Sequence, residues 1–420
     1  MTHGDAVGNR VATGDPVRGK RIVLGVSGGI AAYKVADLAS KLVQAGAQVT
    51  VTMTRSAQEF VRPLTFQSIT HRPVYDDVFD AARSTSVAHV FLATENDLLV
   101  VAPATANVLA KLANGLADDV LTCVALATPA PILVAPAMED GMWSNAATQR
   151  NVALLRERGV RVVGPAHGRL ASGRVGQGRL VEVEELLSEI RQIFAERGDL
   201  AGRRVVVSAG GTHEPIDPVR FVGNRSSGRM GYALAESARD RGAKVTLVSG
   251  PSSLSAPRGV ELVRVETAFE MLEAVQRSVV GADVLIMSAA VADYRPRVTA
   301  AQKLKRTTES MEILLERNPD ILGAVAKEAK GRTVLVGFAA ETQDLLANAR
   351  SKLTSKGIDL IVANDVMGEG SGFGSETNKV TIVGLESEVD VPLLPKYEVA
   401  HQVLDEVVRL LSKRGHAGAG

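Results

Sequence analysis

Small hydroxyl residues and glycines follow two predicted strands near the start of the chain. Ser27 and Gly28 come after the first strand, and Thr54 and Ser56 come after the second. Glycine lets a backbone approach an anion closely, and hydroxyls beside free helix N–H groups hold phosphate. The two loops therefore predict a clasp for one mononucleotide phosphate. An ordinary pair of strand–helix turns without a ligand is the alternative, and the chain has no Gly-x-Gly-x-x-Gly fingerprint for a dinucleotide.

Two later strands of this half end in short motifs at the edge where open α/β sheets bind ligands. The motifs are Pro-Ala-Thr-Ala-Asn at 103–107 and Pro-Ala-Met-x-x-x-Met-Trp at 136–143. Upstream, His89 stands in a helical and mostly apolar turn, 86–90. Alone, this histidine is more typical of a packed or surface residue. The order and spacing of the three motifs instead favour a catalytic histidine.

A glycine-rich segment, 168–180, follows these motifs. Its composition suits a mobile flap over a pocket, although a bare connecting loop would have the same composition.

Four lysines of the second half follow predicted strands: Lys303, Lys305, Lys352 and Lys356. Gathered near one crevice, four ammonium groups would bind a triphosphate well. A solvated helix face and an exposed loop are the alternative interpretation. The chain has no Gly-x-x-x-x-Gly-Lys-Ser/Thr motif, which disfavours an ordinary P-loop ATPase.

The elements that position these residues repeat. The stretch 203–231 has a β-branched run, a glycine pair and a Ser-Ser-Gly helix start. The stretch 21–34 has nearly the same pattern of an apolar run followed by a glycine pair. Two first strands predict two doubly wound, Rossmann-like α/β domains with parallel sheets. We expect disorder over 1–20, domains over 21–196 and 203–413, a polar linker over 197–202 and a flexible tail over 414–420.

Length and composition agree with two domains. The chain has 420 residues and is 45% hydrophobic, which suffices for two cores of about 180 to 220 residues. Its 48 basic and 47 acidic residues balance, so nothing predicts a nucleic-acid or membrane partner. The single cysteine, Cys123, cannot form an intramolecular disulfide, and the N-terminus has no apolar leader. We expect a cytoplasmic protein.

On its motifs, the first half resembles the flavin-dependent cysteine decarboxylases, over residues 21 to about 185. The resemblance implies a flavoprotein decarboxylase fold with His89 as catalytic base, and Asn107 and Met138 reaching the substrate. It also implies that FMN is held by Ser27, Gly28, Thr54, Ser56, Pro103, Ala104 and Thr105. Loss of CO₂ from a cysteine carboxyl leaves a carbanion, and a flavin can provide the electron sink that a plain thiol lacks.

Two positions depart from that family's pattern. Glu139 stands where the second motif usually carries Asn. Ser172 stands in the flap where pantothenate-pathway members carry a proton-donating cysteine, and a serine hydroxyl is a poor general acid. The reductive half of the reaction then takes its proton from Ser172 through water or from another group, or the chain stops at the enethiol.

The second half, from 203 to about 412, resembles bacterial phosphopantothenate–cysteine ligases. Its motifs include S-A-G-G-T-x-E-P-I-D-P-V-R, N-R-S-S-G, A-A-V-A-D-Y-R-P and N-P-D-I. The resemblance implies that Asn224 holds an acyl-cytidylate, that Lys303 acts on the reacting phosphate, and that Mg²⁺ assists. It implies a CTP site of Ser288, Ala289, Asp293, Pro319, Asp320, Ile321, Leu322, Phe338, Lys352 and Lys356.

Together the resemblances predict a bifunctional enzyme of coenzyme A synthesis. Its partners would be CTP, L-cysteine and 4′-phosphopantothenate, and its final product 4′-phosphopantetheine. Similar fusions imply a homododecamer built from trimers of the first half and dimers of the second. An oxidative decarboxylase and a non-catalytic flavin-fold binding module remain alternatives for the first half, and the retained His89 argues against the latter.

Overall fold

The computed structural model describes residues 14–78, 88–305, 311–329, 331–341, 345–365 and 374–417. The chain forms two compact units, residues 15–194 and the part from 195 onwards. Each unit has its own parallel sheet, as the repeated first-strand pattern predicts.

The first unit is built on a six-stranded parallel sheet with strand order β3-β2-β1-β4-β5-β6. The strands are β1 (Arg21–Val26), β2 (Gln48–Met53), β3 (Val74–Tyr75), β4 (Leu98–Ala104), β5 (Ile132–Pro136) and β6 (Arg161–Val162). The order reverses direction between β1 and β4. Such a switch point opens a crevice at the carboxyl ends of the strands, where ligands bind.

Helices cover this sheet, and a small hairpin lies beside it. The helices are α1 (Ala32–Gln44), α2 (Pro63–Thr70), α3 (Ala88–Thr94), α4 (Ala106–Asn114), α5 (Val120–Ala127), α6 (Asp140–Ser144), α7 (Ala146–Glu157) and α8 (Val183–Ala195), and the hairpin strands are β7 (Ala166–Arg169) and β8 (Val175–Arg179). In α1 the apolar residues Val35, Leu38 and Leu42 recur at helical spacing, and all three are buried. The glycine-rich segment, 168–180, thus spans the end of β7, the turn and the whole of β8 in an antiparallel hairpin.

The second unit has an eight-stranded sheet with order β13-β12-β9-β14-β17-β18-β19-β20. Its strands are β9 (Arg204–Ala209), β12 (Lys244–Ser249), β13 (Glu261–Arg264), β14 (Val284–Met287), β17 (Val334–Glu341), β18 (Leu360–Asp365), β19 (Thr377–Gly384) and β20 (Glu388–Pro395). The first six in spatial order are parallel, and the hairpin β19–β20 adds an antiparallel edge. The amino end of β19 therefore lies beside the carboxyl end of β18.

The remaining elements of this unit are α9 (Arg229–Asp240), α10 (Ala268–Val279), α11 (Ile321–Ala329), α12 (Leu345–Lys356), α13 (Lys396–Ala417) and two short pairs, β10 (His213–Pro215) with β11 (Phe221–Gly223) and β15 (Tyr294–Pro296) with β16 (Leu315–Arg317). The sequence pattern of 244–249 predicts a strand, and the alternation of 378–395 predicts an antiparallel hairpin; both predictions are confirmed. No helix among the described residues is long and apolar enough to cross a membrane.

The expected disorder over 1–20 is wrong for its last part, residues 14–20. Val17 is fully buried in the core of the first unit, and the Asp15 carboxylate pairs with the guanidinium of Arg191 on α8. A buried apolar side chain and a half-buried ion pair fix this segment. Residues 1–13 lie outside the described residues.

The predicted linker, 197–202, is packed into the second unit. The Leu200 side chain is fully buried, and its N–H donates to the Arg241 carbonyl at 3.0 Å. The Arg241 guanidinium also pairs with Asp199. Likewise the predicted flexible tail begins in helix, because α13 runs to Ala417, while 418–420 lie outside the described residues.

Candidate functional site

Three loops of the first unit converge because their strands are neighbours in the order β2-β1-β4. They are the loops that contain Ser27 and Gly28, Thr54 and Ser56, and Pro103 to Thr105. All three follow the carboxyl ends of parallel strands, so the topology brings the predicted FMN-binding residues to one edge. The strand β4 runs on to Ala104, so the Pro-Ala pair of this motif belongs to the strand itself.

Ser27 ties two of these loops together. Its hydroxyl is fully buried, donates to the Pro103 carbonyl at 2.6 Å and accepts from the Thr105 N–H at 3.1 Å. Thr105 in turn caps α4, and Thr54 caps the short 3₁₀ helix 55–59. A capping side chain accepts from one N–H group at a helix start. The other N–H groups of the first turn have no partner within the helix, and such groups can hold an anion.

Gly28 allows the β1 and β2 loops to touch. A Cβ atom added to Gly28 would lie 2.3 Å from the Ser56 Cβ and 2.8 Å from the Ser56 carbonyl carbon. Carbon atoms in contact are normally about 3.5–4.0 Å apart. Only glycine fits this close approach, whereas a Cβ on Gly29 would meet nothing nearer than Thr105 Cγ2 at 3.6 Å.

The Met138 loop follows β5 and is hydrogen-bonded to the β7–β8 hairpin. The Met138 N–H donates to the Gly178 carbonyl at 2.9 Å, and the Gln177 N–H donates to the Asp140 carboxylate at 3.0 Å. On its other side, the Ala137 N–H donates to the Ala104 carbonyl at 3.1 Å. The segment predicted to be a flap is thus a hairpin that packs beside the loops predicted to bind FMN.

The two positions that depart from the family pattern meet each other. The Ser172 hydroxyl donates to the Glu139 carboxylate, with 2.9 Å between Oγ and Oε1. Ser172 lies in the turn of the hairpin and Glu139 in the Met138 loop, 33 residues apart in the chain. The Ser172 hydroxyl is thus a donor to a carboxylate, and its oxygen accepts from the Arg174 N–H at 3.4 Å.

His89 lies in the first turn of α3, which leads into β4. A helix that leads into a parallel strand runs back across the sheet, so its start lies towards the carboxyl edge. The His89 Nδ1 atom is buried and has no hydrogen-bond partner among the described residues. Ser86 and Val87 of this motif lie outside those residues. Asn107, in the first turn of α4, is exposed at the same edge.

The second unit contains a cleft of about 1050 Å³ along the carboxyl edge of its sheet. Most of the predicted ligase residues line it: Asn224, Ser288, Ala289, Asp293, Pro319, Asp320, Ile321, Leu322, Phe338, Lys352 and Lys356. These residues come from the connections between β9 and α9 and between β14 and α11, from the start of α11, from β17 itself and from α12. The strand order β9-β14-β17 makes those loops neighbours.

Hydrogen bonds from side-chain amides to backbone carbonyls join the loops of the cleft. The Asn224 amide donates to the Val291 carbonyl at 2.9 Å, which joins the N-R-S-S-G loop to the A-A-V-A-D loop. The Asn318 amide donates to the Ala292 carbonyl at 2.8 Å, which joins the latter to the N-P-D-I motif. The three motifs that the sequence separates therefore form one wall.

Helix α9 begins at this wall. Its first intrahelical bond runs from the Tyr232 N–H to the Gly228 carbonyl. The N–H groups of Met230 and Gly231 have no acceptor among the described residues, because the first turn of a helix lacks partners. Free N–H groups at a helix start are the kind of donor that can hold an anion.

Two lysines of the predicted triphosphate set lie on α12. Lys352 is exposed in the cleft lining, and Lys356 donates to the Asp320 carboxylate at 3.1 Å. Asp320 also accepts from the Gly323 N–H at 3.1 Å and so caps the start of α11. The two lysines share one helix face, as their spacing predicts.

Two of the four predicted lysines, Lys305 and Lys303, are exposed and do not belong to the cleft lining. Lys303 is the one that the resemblance places on the reacting phosphate. Its loop is anchored by Asp217, whose carboxylate accepts from the Leu304 N–H at 3.1 Å. The Arg220 guanidinium, which donates to that carboxylate, is the main reason that the pKa of Asp217 is far below its ordinary value.

Several cleft residues were missed by the sequence reasoning. Arg229, Asn364, Asn378 and Lys396 all line the cleft. One signal could have drawn attention to Lys396: it is the first residue of α13, where a helix dipole disfavours a cation. Among the described residues, no group of three or more His, Cys, Asp or Glu side chains could hold a metal ion.

Comparison with protein families divides the chain in the same way as its fold. The family model "Flavoprotein" matches residues 11–195. The family model "DNA/pantothenate metabolism flavoprotein C-terminal domain" matches residues 200–411.

Curated proteins similar to the whole chain share one description, "Coenzyme A biosynthesis bifunctional protein CoaBC". That of Vibrio parahaemolyticus is 47% identical over 395 residues, which are 94% of this chain and 99% of its own length. That of Bacillus subtilis is 46% identical over 400 residues, with coverages of 94% and 98%. The solved C-terminal domain of a CoaBC protein is 42% identical and covers 51% of this chain and 99% of its own, with a TM-score of 0.44.

Proposed function

The chain belongs to the family of bifunctional coenzyme A biosynthesis proteins, and on that premise we propose a substrate and a role for each site. It is a bifunctional enzyme with a flavoprotein decarboxylase half and a ligase half. The ligase half joins L-cysteine to 4′-phosphopantothenate at the expense of CTP. The flavoprotein half decarboxylates the resulting phosphopantothenoylcysteine to 4′-phosphopantetheine.

The cleft of the second unit is the observation that carries the ligase assignment. A carboxylate does not condense with an amine at neutral pH, so it must first attack the α-phosphate of CTP, with loss of pyrophosphate. The α9 N–H groups, Lys352 and Lys356 stabilise the phosphate charge. The Asn224 amide, which lines the same cleft, holds the acyl-cytidylate while the cysteine amine attacks its carbonyl and CMP leaves.

Lys303 acts on the reacting phosphate only after its loop approaches the cleft. The exposed position of Lys303 and the anchoring of its loop at Leu304 support a hinge at that anchor. Loops that close on a bound substrate commonly complete a site in this way. Mg²⁺ enters with the triphosphate oxygens, which are the hard ligands it prefers.

The loops of the first unit fit FMN. The Gly28–Ser56 approach leaves room for backbone only, and the caps at Thr54 and Thr105 direct free N–H groups at one edge. When bound, the flavin supplies two-electron redox chemistry at the carbon that carries sulfur, which gives the carbanion left by CO₂ an electron sink. His89, whose buried Nδ1 is without a partner among the described residues, deprotonates the substrate thiol. Asn107 orients the substrate carboxylate.

The Ser172–Glu139 contact bears on the final protonation. A serine that donates to a carboxylate can deliver a proton to substrate only if the carboxyl group resupplies it. We therefore assign the proton to the pair rather than to Ser172 alone. If the pair fails in this role, the first half is an oxidative decarboxylase that stops at the enethiol.

Self-association belongs to the same proposal. Ile30, Tyr33, Val90 and Phe91 expose large apolar side chains on the first unit, near the FMN loops and on α3. Helix α1 packs on one face of the sheet and α3 on the other, so these side chains form two separate exposed apolar groups. Exposed apolar groups of this kind occur at subunit interfaces and are compatible with trimers of the flavoprotein half, within the homododecamer that the resemblance implies.

The test supplies the purified chain with CTP, 4′-phosphopantothenate and cysteine and measures CMP release and product mass. We expect CMP and a product with the mass of 4′-phosphopantetheine. Lys303→Gln should abolish CMP release yet still decarboxylate added phosphopantothenoylcysteine, and His89→Asn should do the reverse. The activity that each variant retains shows that the variant is folded. Lys244→Gln, at the amino edge of β12, should change neither activity. CMP release at the normal rate by Lys303→Gln would refute its role.

A further inference from the structure

Lys396 is a cation inside the ligase cleft that makes no direct ion pair with a residue in the described part of the chain. Its side chain is half-buried and lines the cleft. Its ammonium donates to the carbonyl oxygens of Ser375 and Thr377, the latter at 2.9 Å. Neutral carbonyls orient an ammonium group without neutralising it. Two acceptors also leave the third N–H of the ammonium available.

The surroundings of Lys396 make this arrangement unfavourable without a ligand. Burial is the main cause that lowers the pKa of Lys396, and the nearby charge of Arg229 lowers it further, although Glu376 partly offsets both. Glu376 is itself exposed and pairs with Arg229. In addition, Lys396 begins a 22-residue helix, at the end where the helix dipole repels a cation. A cation kept in such a position indicates an anion that binds there.

Asn378 is a second polar group held without a good partner. It is 1% exposed and lines the cleft next to Thr377. Its Oδ1 has no hydrogen-bond partner among the described residues, and its Nδ2 makes one weak contact, 3.9 Å from the Met230 sulfur. Buried amides are normally hydrogen-bonded, so an amide in this state is available to a ligand. Rotation of the amide would present Nδ2 to an anion.

We propose that Lys396 and Asn378 form a phosphate subsite at the α13 end of the ligase cleft. The subsite lies beyond the first turn of α9, whose Met230 precedes the free Gly231 N–H and contacts Asn378. The subsite adds one ammonium donor and one amide donor to the N–H donors at the start of α9. The proposal rests on the proposed function for its two candidate ligands, the phosphate ester of 4′-phosphopantothenate and the terminal phosphates of CTP. Both offer the same chemistry to these donors.

The test measures binding to the full-length protein by calorimetry for three probes: CTP, inorganic pyrophosphate and 4′-phosphopantothenate. Lys396→Met removes a charged hydrogen bond, so we expect the dissociation constant of the bound phosphate ligand to rise about 10- to 100-fold. Weakened CTP and pyrophosphate would assign the subsite to the nucleotide. Weakened 4′-phosphopantothenate alone would assign it to that ester. Unchanged binding of all three would overturn the proposal.

Two further measurements keep the result interpretable. Lys379→Met removes an exposed lysine from the same strand as Asn378 and should leave all three constants within twofold. Because the Lys396 ammonium also donates to two backbone carbonyls, the Lys396→Met variant could unfold locally. Hydrogen exchange of the wild-type protein avoids that problem: saturating ligand should protect the amides of 375–380, and unchanged exchange would also overturn the proposal. Failure of the wild-type protein to release CMP would refute the proposed function instead, and the pyrophosphate arm would still test the subsite.

Discussion

The contact between Gly28 and Ser56 gives a sharp test of the FMN site. Gly28→Ala places a methyl group 2.3 Å from the Ser56 Cβ and 2.8 Å from the Ser56 carbonyl carbon. To restore a contact of about 3.5 Å, the two loops must separate by about 1.2 Å. Neither Gly28 nor its neighbour has the positive φ that would strain alanine by itself. The effect is therefore steric, and it acts on two of the loops that would hold the phosphate.

The magnitude follows from the cost of inserting a methyl group into a packed contact, about 1–3 kcal/mol. If that cost falls on the loop arrangement that binds FMN, the dissociation constant rises about 5- to 150-fold. Gly29→Ala is the matched control, because its Cβ would lie 3.6 Å from the nearest atom, in ordinary contact. We expect it to bind FMN like the wild-type protein.

The assay titrates FMN into flavin-free protein and follows the quenching of flavin fluorescence, with CMP release measured on the same samples. The ligase reaction should be unchanged in both variants, since the mutated loop belongs to the other compact unit. If Gly28→Ala bound FMN within twofold of wild type, the assignment of these loops to the flavin phosphate would be refuted. Equal losses in both glycine variants would also contradict the steric argument.

Three further predictions concern other contacts. Ser172→Ala and Glu139→Gln should each slow the reductive step about 100-fold and shift the product to a species two hydrogens lighter. The product ratio is measured by mass spectrometry, and a ratio equal to that of the wild-type protein would exclude the pair as the proton source. Asp217→Ala removes the acceptor of the Leu304 N–H and releases the Lys303 loop from its anchor, so kcat/KM for CMP release should fall about 10-fold or more while decarboxylation is unaffected. Equal effects on both reactions would argue against loop anchoring. Asp240→Ala removes a fully buried carboxylate from its arginine partner and from a tyrosine hydroxyl at 2.8 Å, which should destabilise the second unit by about 3–5 kcal/mol. Chemical denaturation would show this as a lower midpoint, and an unshifted midpoint would contradict it.

The sequence alone predicted the architecture because its signals are local. Apolar runs closed by glycine turns identify strands such as 244–249, and alternating hydrophobicity identifies the hairpin 378–395. In a parallel sheet, every strand of this kind delivers its following loop to the same edge. Motifs that follow strands were therefore placed at a common edge before any contact was known, and the cleft lined by Asn224, Ser288 and Lys352 agrees with that placement.

Only the tertiary structure decided which residues touch across long separations. The sequence gives no sign that Ser172 meets Glu139, because they lie 33 residues apart on different elements. It likewise placed Lys303 with the other lysines, whereas in the structure Lys303 lies outside the cleft lining, on a loop that is bound through Leu304 to Asp217, 87 residues away in the chain. The reason is physical: local patterns determine each element and its buried face, whereas side-chain partners depend on how loops pack after the sheets have formed. Lys396 shows the difference most clearly, since its position at a helix start is visible in the sequence and its place inside a cleft is not.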